Sequence, residues 1–258
     1  MMPSSDAELR VVIPARYGSS RLPGKPLVDL GGKPMVVRVY EAVRSALPRQ
    51  DIVVAVDDAR IVSVLNGYDI PVVLTRADHE SGTDRTAEVA RLRQWNARDI
   101  LLNVQGDEPL IPADVLQAFA AFCESRAHMS MATLAVPLEA PEQIHDPNIV
   151  KLTLDVNDRA ITFSRAALPF NRDLPLSQWL LQDYLRHVGI YAYRNAVLQH
   201  LTAMPPCTLE RIEKLEQLRA QWLGIPIDVL RWHTSPPHGV DTPEDAARVA
   251  QIFQERTP

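Results

Sequence analysis

Residues suited to handling phosphate gather early in this sequence. From Val11 to Pro34 it reads VVIPARYGSSRLPGKPLVDLGGKP, which sets Arg16, Arg21, Lys25 and Lys33 among glycines and small hydroxyls. Arg and Lys supply the charge that a polyphosphate needs, and Gly18, Gly24, Gly31 and Gly32 let backbone amides turn toward a ligand. Lys25 would serve as a point charge on a triphosphate and Arg16 as a planar fork, while Arg21 either shares that work or faces solvent. The loop has neither the GxxxxGK pattern of the Walker loop nor the dinucleotide GxGxxG. By composition alone a solvated surface loop is an equal reading.

Carboxylates provide the other half of the chemistry. In NVQGDEPLIP, Gly106 supplies a turn, Asp107 and Glu108 follow, and Pro109 stops a strand. A carboxylate fixed there can hold Mg²⁺, which takes a few protein oxygens and completes its shell with phosphate and water; a plain acidic turn accounts for the same spacing. Asp241 precedes Thr242-Pro243-Glu244-Asp245, a helix start with Thr as the cap, Pro in the first turn and acids opposing the dipole. That start explains Glu244 and Asp245 and leaves Asp241 unused. No Ser/His/Asp or Cys/His arrangement for a covalent intermediate stands out.

These residues need a scaffold, and the chain alternates strand and helix signals in its first half. Leu9 to Ala15 reads as an apolar strand buried on both faces, followed by a helix carrying Met35, Val36, Val39, Val43 and Leu47 between Pro34 and Pro48. Strands follow at 52–56, 70–74 and 100–104, with helices around Ile61 to Leu65, 83–95 and 113–122. The expected class is α/β: a mostly parallel Rossmann-like sheet flanked by helices, with ligands beyond the carboxyl ends of the strands. Beyond Met129 the pattern becomes strand-rich, at 131–138, 149–156, 160–163 and 188–193, which predicts a smaller mixed or antiparallel inserted portion. The segment 169–182 has little periodicity and reads as a mobile loop. One helix over 209–222, a strand over 227–232 and a helix over 243–254 complete the chain. The expected division is 1–128, 129–225, and 226–258 returning to the first part.

At 258 residues the chain can bury a substantial core, and its formal charge of −5 disfavours a general nucleic-acid surface. Cys123 and Cys207 lack metal-ligand spacing and read as buried thiols of a reducing compartment. No run reaches the roughly 20 apolar residues of a membrane span, and MMPSSDAELR has no apolar signal core, so a cytoplasmic location is expected.

The order PARxxSxRLPxKPLxxLxGKP after a strand resembles the signature of the sugar-acid cytidylyltransferases, those acting on 3-deoxy-manno-octulosonate (Kdo) in particular. TRADHESGTDR, NVQGDEPLIP, MATLAVP, FSRAALPF, RHVGIYAYR, LEQLR and GVDTPEDAARV extend the resemblance over nearly the whole chain. It implies a nucleotidyltransferase sheet in 1–128, sugar binding and dimerisation in 129–225, and transfer of CMP from CTP to Kdo for bacterial lipopolysaccharide synthesis. It also implies Mg²⁺ as cofactor, on Asp107 and Asp241, with Arg16 and Lys25 catalytic beside them. The nucleotide would be met by Arg16, Ser19, Arg21, Lys25, Arg76, Ser81 and Gln105. For the sugar acid, Arg165 and Arg172 would meet the carboxylate, with His187, Tyr191, Glu216 and Gln217 at or beside sugar-contacting positions. Nothing in their own spacing singles these out: Glu216-Gln217, for instance, equally suits the wet face of a helix with a Leu209, Ile212, Leu215, Leu218 stripe. The resemblance further implies a homodimer. Competing readings are the same transfer to 8-amino-Kdo or sialic acid, a metal-dependent glycosyltransferase, and a silent nucleotide-binding protein.

Overall fold

The computed structural model describes residues 7–19, 21–175 and 178–255. The first six residues, part of the stretch read as lacking a signal core, lie outside it, as do Leu176 and Ser177 of the expected loop. The chain forms two compact units, Met1–Glu124 with Pro236–Pro258, and Ser125–Ser235.

In the first unit β1 (Leu9–Ala15), β2 (Asp51–Val56), β3 (Val72–Leu74) and β4 (Ile100–Asn103) form a parallel array in the order β3-β2-β1-β4. β1 is central, and Val11, Val12 and Ile13 are wholly buried, as a strand covered on both faces requires. Crossovers run through α1 (Met35–Ala46), α2 (Ala59–Asn66) and α3 (Gly82–Leu92), with α4 (Ala113–Ser125) after β4. The chain moves outward from β1 to β3, then returns to β1's other side with β4. That reversal opens a crevice at the carboxyl ends of β1 and β4, where the basic loop and the acidic turn emerge. α8, the last helix (Pro243–Glu255), packs against the basic segment: Gly31, at φ +67°, lies so close that a Cβ would come 3.0 Å from Cβ of Phe253. Arg38 lies over the ring of Phe253, 4.3 Å from its centroid.

The second unit is the mixed one. β5 (Met131–Pro137) pairs antiparallel with β8 (Leu185–Arg194) and parallel with β9 (Ile227–Arg231); β6 (Lys151–Leu154) pairs antiparallel with β7 (Ala160–Ser164) and β8. β9 was expected to return with the last helix to the first part; its ladder with β5 keeps it here. Two corrections concern helices. α5 (Asn195–Ala203) was not expected, and the single helix over 209–222 is two, α6 (Thr208–Glu213) and α7 (Gln217–Trp222). Lys214 adopts the left-handed conformation, φ 55°, and breaks the run. Leu209 and Ile212 are therefore exposed while Leu215 and Leu218 are buried, so the four do not form one stripe. The described residues of the 169–182 segment lack strand or α-helix and enter a 3-10 turn at Leu181, and Trp179 packs with Leu138, Ile144 and Tyr184 and donates its indole N–H to Leu174 O at 2.9 Å. Both cysteines are buried and neither is in a disulfide.

Candidate active site

The loop after β1 carries its lysine to a defined place. Gly24, left-handed at φ 65°, turns the chain into a short 3-10 turn, Lys25–Leu27. Lys25 Nζ donates to Asp107 Oδ2 at 2.6 Å and to Asp241 Oδ1 at 2.9 Å. Arg21 Nη2 also reaches Asp241 Oδ1, at 3.0 Å. Partial burial opposes the charge on Lys25, but the two carboxylates outweigh it and hold the ammonium above its ordinary pKa.

Backbone geometry brings the two aspartates together from opposite ends of the unit. Asp107 follows Gly106, where a Cβ would stand 2.6 Å from Pro14 O, so only glycine lets the acidic turn lie this close to β1. Val240 N donates to Asp107 O at 2.8 Å, tying the approach to α8 onto that turn. Thr242 and Asp245 cap α8 reciprocally: Asp245 N donates to Thr242 Oγ1 and Thr242 N to the Asp245 carboxylate, each at 3.2 Å. The hydrogen bond from Arg248, helped by the Asp241 and Thr242 amides and the Thr242 hydroxyl, outweighs the upward push of burial and holds Asp245 down at about 2. The cap thus leaves the Asp241 carboxylate pointing at Lys25. An open cavity of about 770 Å³ is lined here by Arg21, Asp107, Glu108, His238, Asp241 and Arg248.

The donor set suits a magnesium ion. Asp107 and Asp241 both contact one ammonium, which demonstrates that two carboxylates reach a single cation position. Among the described residues no group of three or more His, Cys, Asp or Glu is arranged for a metal. Two carboxylates, with phosphate and water to complete the shell, match the habit of Mg²⁺ rather than that of an all-protein cage.

The remaining nucleotide candidates border the same strand ends. Arg16 is exposed directly after β1, and Ser19 Oγ accepts from Leu22 N at 3.3 Å. Arg76, exposed after β3, pairs with Asp78, and its own amide donates to Glu88 at 3.0 Å. Ser81 caps α3, accepting from Asp84 N at 3.0 Å, and Gln105 is half-buried beside Gly82. Asp57 and Arg85, which the sequence reading did not select, lie beneath these loops. Asp57 Oδ1 accepts from Tyr17 N at 2.8 Å, and Asp57 Oδ2 faces Arg85 Nη2 at 3.4 Å.

The sugar-acid candidates all lie in the second unit, in varied surroundings. His187 bonds Thr133 Oγ1 through Nε2 at 2.9 Å, and its ring packs against Phe163 and Tyr191. Enclosure, with a smaller push from Arg186, lowers it to about 3, so it is a neutral imidazole. Burial, then Tyr193 and Glu216, drives the Tyr191 phenol well above its ordinary range. Tyr191 Oη and Gln217 Nε2 are buried and meet no partner among the described residues. Arg165 is engaged with backbone, donating to Glu213 O and Pro147 O at 2.7 Å each. Arg172 is almost fully exposed beside Asp173. Glu216 is exposed and adjoins α7. Lys151 was also passed over: wholly buried, it donates to the carbonyls of Asp146, Ile149 and Arg165 at 2.8, 2.6 and 2.6 Å.

Comparison with known proteins agrees with this geometry. The family model described as cytidylyltransferase matches residues 10–227. A 3-deoxy-manno-octulosonate cytidylyltransferase 2 of Paraburkholderia phytofirmans is 58% identical over 98% of this chain and 97% of its own. A 3-deoxy-manno-octulosonate cytidylyltransferase of Pseudomonas syringae pv. tomato is 50% identical over 96% and 99%. The solved structure of CMP:2-keto-3-deoxy-manno-octonic acid synthetase complexed with CTP superposes with a TM-score of 0.88 at 36% identity, covering 97% of this chain and 100% of that one. With matches of this extent joined to an α/β sheet whose basic loop and acidic turn meet at one rim, this chain belongs to the cytidylyltransferase family.

Proposed function

We propose that this protein transfers CMP from CTP to Kdo, giving CMP-Kdo and pyrophosphate, with Mg²⁺ held by Asp107 and Asp241. The observation that carries the mechanism is the meeting of these two carboxylates at Lys25, on the loop that opens the crevice. Relatives named for this reaction over essentially full length support the substrate pair.

In this reading the anomeric C2 hydroxyl of Kdo attacks the α-phosphorus of CTP and pyrophosphate leaves. Bound Mg²⁺ would supply positive charge at the triphosphate and lower the pKa of the attacking hydroxyl. Arg16 and Lys25 would offset the charge that accumulates on the departing pyrophosphate, so the chain's work is positioning and neutralisation. Gln105, Ser81 and Arg76 would read the nucleoside and ribose side. Tyr191 Oη and Gln217 Nε2, buried donors lacking partners among the described residues, suit sugar hydroxyls. Neutral His187 would orient or donate rather than carry charge. Arg165 and Arg172 remain the cations proposed for the acid's carboxylate.

A homodimer and a cytoplasmic site of action, feeding lipopolysaccharide synthesis, complete the proposal. No helix among the described residues is long and apolar enough to cross a membrane. The test is pyrophosphate release from CTP and Mg²⁺ with Kdo, 8-amino-Kdo and sialic acid in parallel, and UTP as the nucleotide control. Release with CTP and Kdo supports the reading. Preference for 8-amino-Kdo or sialic acid would move the substrate assignment, and no turnover by folded, CTP-binding protein would overturn it.

A further inference from the structure

A buried ion pair beneath the nucleotide loops has no part in the mechanism above, and burying one is costly unless it secures something. Asp57, at the end of β2, and Arg85, in α3, have side chains only 12% and 3% exposed. Each reaches a different loop of the rim. Asp57 Oδ1 accepts the amide of Tyr17, next to Arg16, at 2.8 Å. The Tyr17 ring is covered by the Arg60 guanidinium, 3.6 Å from its centroid. Its hydroxyl lies against Gly24, where a Cβ would stand 3.3 Å away, and Gly24 is the residue before Lys25. Asp57 therefore braces the basic loop at both Arg16 and the turn that aims Lys25.

Arg85 braces the neighbouring loop. Its Nη1 donates to Thr75 Oγ1 and, at 3.2 Å, to Arg76 O, and Thr75 Oγ1 donates on to Val56 O at 2.8 Å. The loops after β1, β2 and β3 are thus joined through one guanidinium and one carboxylate. Burial pushes Arg85 down and the charge of Arg16 adds to this, while Asp57 and Glu88 oppose it. A second cation thus lies behind Arg16, and Asp57 keeps it from being an isolated buried charge.

We infer that Asp57 and Arg85 are a positioning pair that holds the Arg16–Lys25 loop and the Arg76 loop in one arrangement and thereby sets nucleotide affinity. The inference rests on the reading of these loops as the CTP site. A misplacement of about 1 Å by a residue remote from the chemistry can cost as much as 100-fold, which sets the scale.

The experiment measures CTP binding by calorimetry without acid sugar, KM for CTP and for Kdo, and thermal unfolding, for Asp57→Ala, Asp57→Asn, Arg85→Lys and, as reference, Arg16→Ala. Asp57→Ala should weaken CTP by about 10- to 50-fold with KM for Kdo within about twofold. Asp57→Asn keeps an acceptor for the Tyr17 amide and loses only the charge, so a loss of roughly 3- to 10-fold is expected; Arg85→Lys keeps the charge, loses the fork and should fall in the same range. If Asp57→Ala does not fold, the two conservative variants decide. CTP affinity at the wild-type level in both overturns the pair's role, as does an equal change in both KM values that tracks the loss of melting temperature. If Arg16→Ala also leaves CTP binding unchanged, it is the assignment of the loop to the nucleotide that fails.

Discussion

The first unit gathers its candidate residues as full charges in mutual contact, Lys25 between Asp107 and Asp241 with Arg21 alongside. The second unit has Arg165, Arg172 and Glu216 as charged candidates and adds neutral groups in enclosed surroundings: an imidazole depressed to about 3, a phenol raised well above its ordinary range and an amide nitrogen that meets no partner among the described residues. A polyanion and its cation call for exchangeable charges near solvent, where contacts can be remade as the ligand arrives. Hydroxyls of a sugar call for donors already desolvated and fixed, whose cost in the free protein is returned on binding. On the proposed function, the contrast would separate a region that performs the transfer from one that selects the acceptor, and each variant below presses on one side of it.

The largest effect is expected at the charged site. Asp107→Asn keeps the shape and removes the charge, and turnover should fall by about 100- to 1,000-fold while CTP affinity changes by less than about tenfold. Single-turnover kinetics beside calorimetry resolve the two. Near wild-type turnover at saturating Mg²⁺ would remove Asp107 from the mechanism. Lys151→Met comes next, because it strands three part-buried carbonyls that the buried ammonium satisfies. Loss of about 2–4 kcal/mol in urea unfolding is expected, with KM for Kdo rising through the displaced Arg165 backbone and KM for CTP unmoved.

Tyr191→Phe sharpens the comparison most cleanly. Since the hydroxyl is buried without a partner among the described residues, its removal should leave the melting temperature unchanged or higher, while KM for Kdo rises by about tenfold. A fall in melting temperature with unchanged KM would place the hydroxyl in the structure rather than in recognition. The smallest effect concerns pH. The folded-state pKa of His187 lies below its unfolded value of about 6.5, so its contribution to stability is complete above that pH and is lost as pH falls toward about 3. His187→Gln should flatten that part of the stability profile, and an unaltered slope would show that the ring is not held neutral.

The same contrast explains what could be read in advance. β1 and the basic loop were legible because a continuous apolar strand, glycines and spaced cations are local signals, and Asp241 stood out because Thr242 and Asp245 already accounted for the cap. Lys214 gave no warning: it is a non-glycine residue in left-handed conformation inside an apolar period, and only tertiary packing decides there that α6 and α7 separate. Asp57 adjoins Asp58, which caps α2 by accepting from Arg60 N at 2.8 Å, and two successive aspartates after a strand do not disclose which one turns inward. Arg85 carried no signal either, since periodicity cannot reveal that a charged helical residue turns inward to a partner on another loop. Tyr191, His187 and Gln217 carried no spacing signal, because a neutral site uses residue types that cores also use.

The central claim is that Asp107 and Asp241, far apart in the chain, hold one divalent ion together with CTP. Electron paramagnetic resonance of Mn²⁺ titrated into protein with CTP tests it directly, on wild type, Asp107→Asn and Asp241→Asn. Protein-bound Mn²⁺ in wild type and its weakening by about tenfold or more in each variant is the expected result. Variants that bind Mn²⁺ and turn over as wild type does would contradict the account.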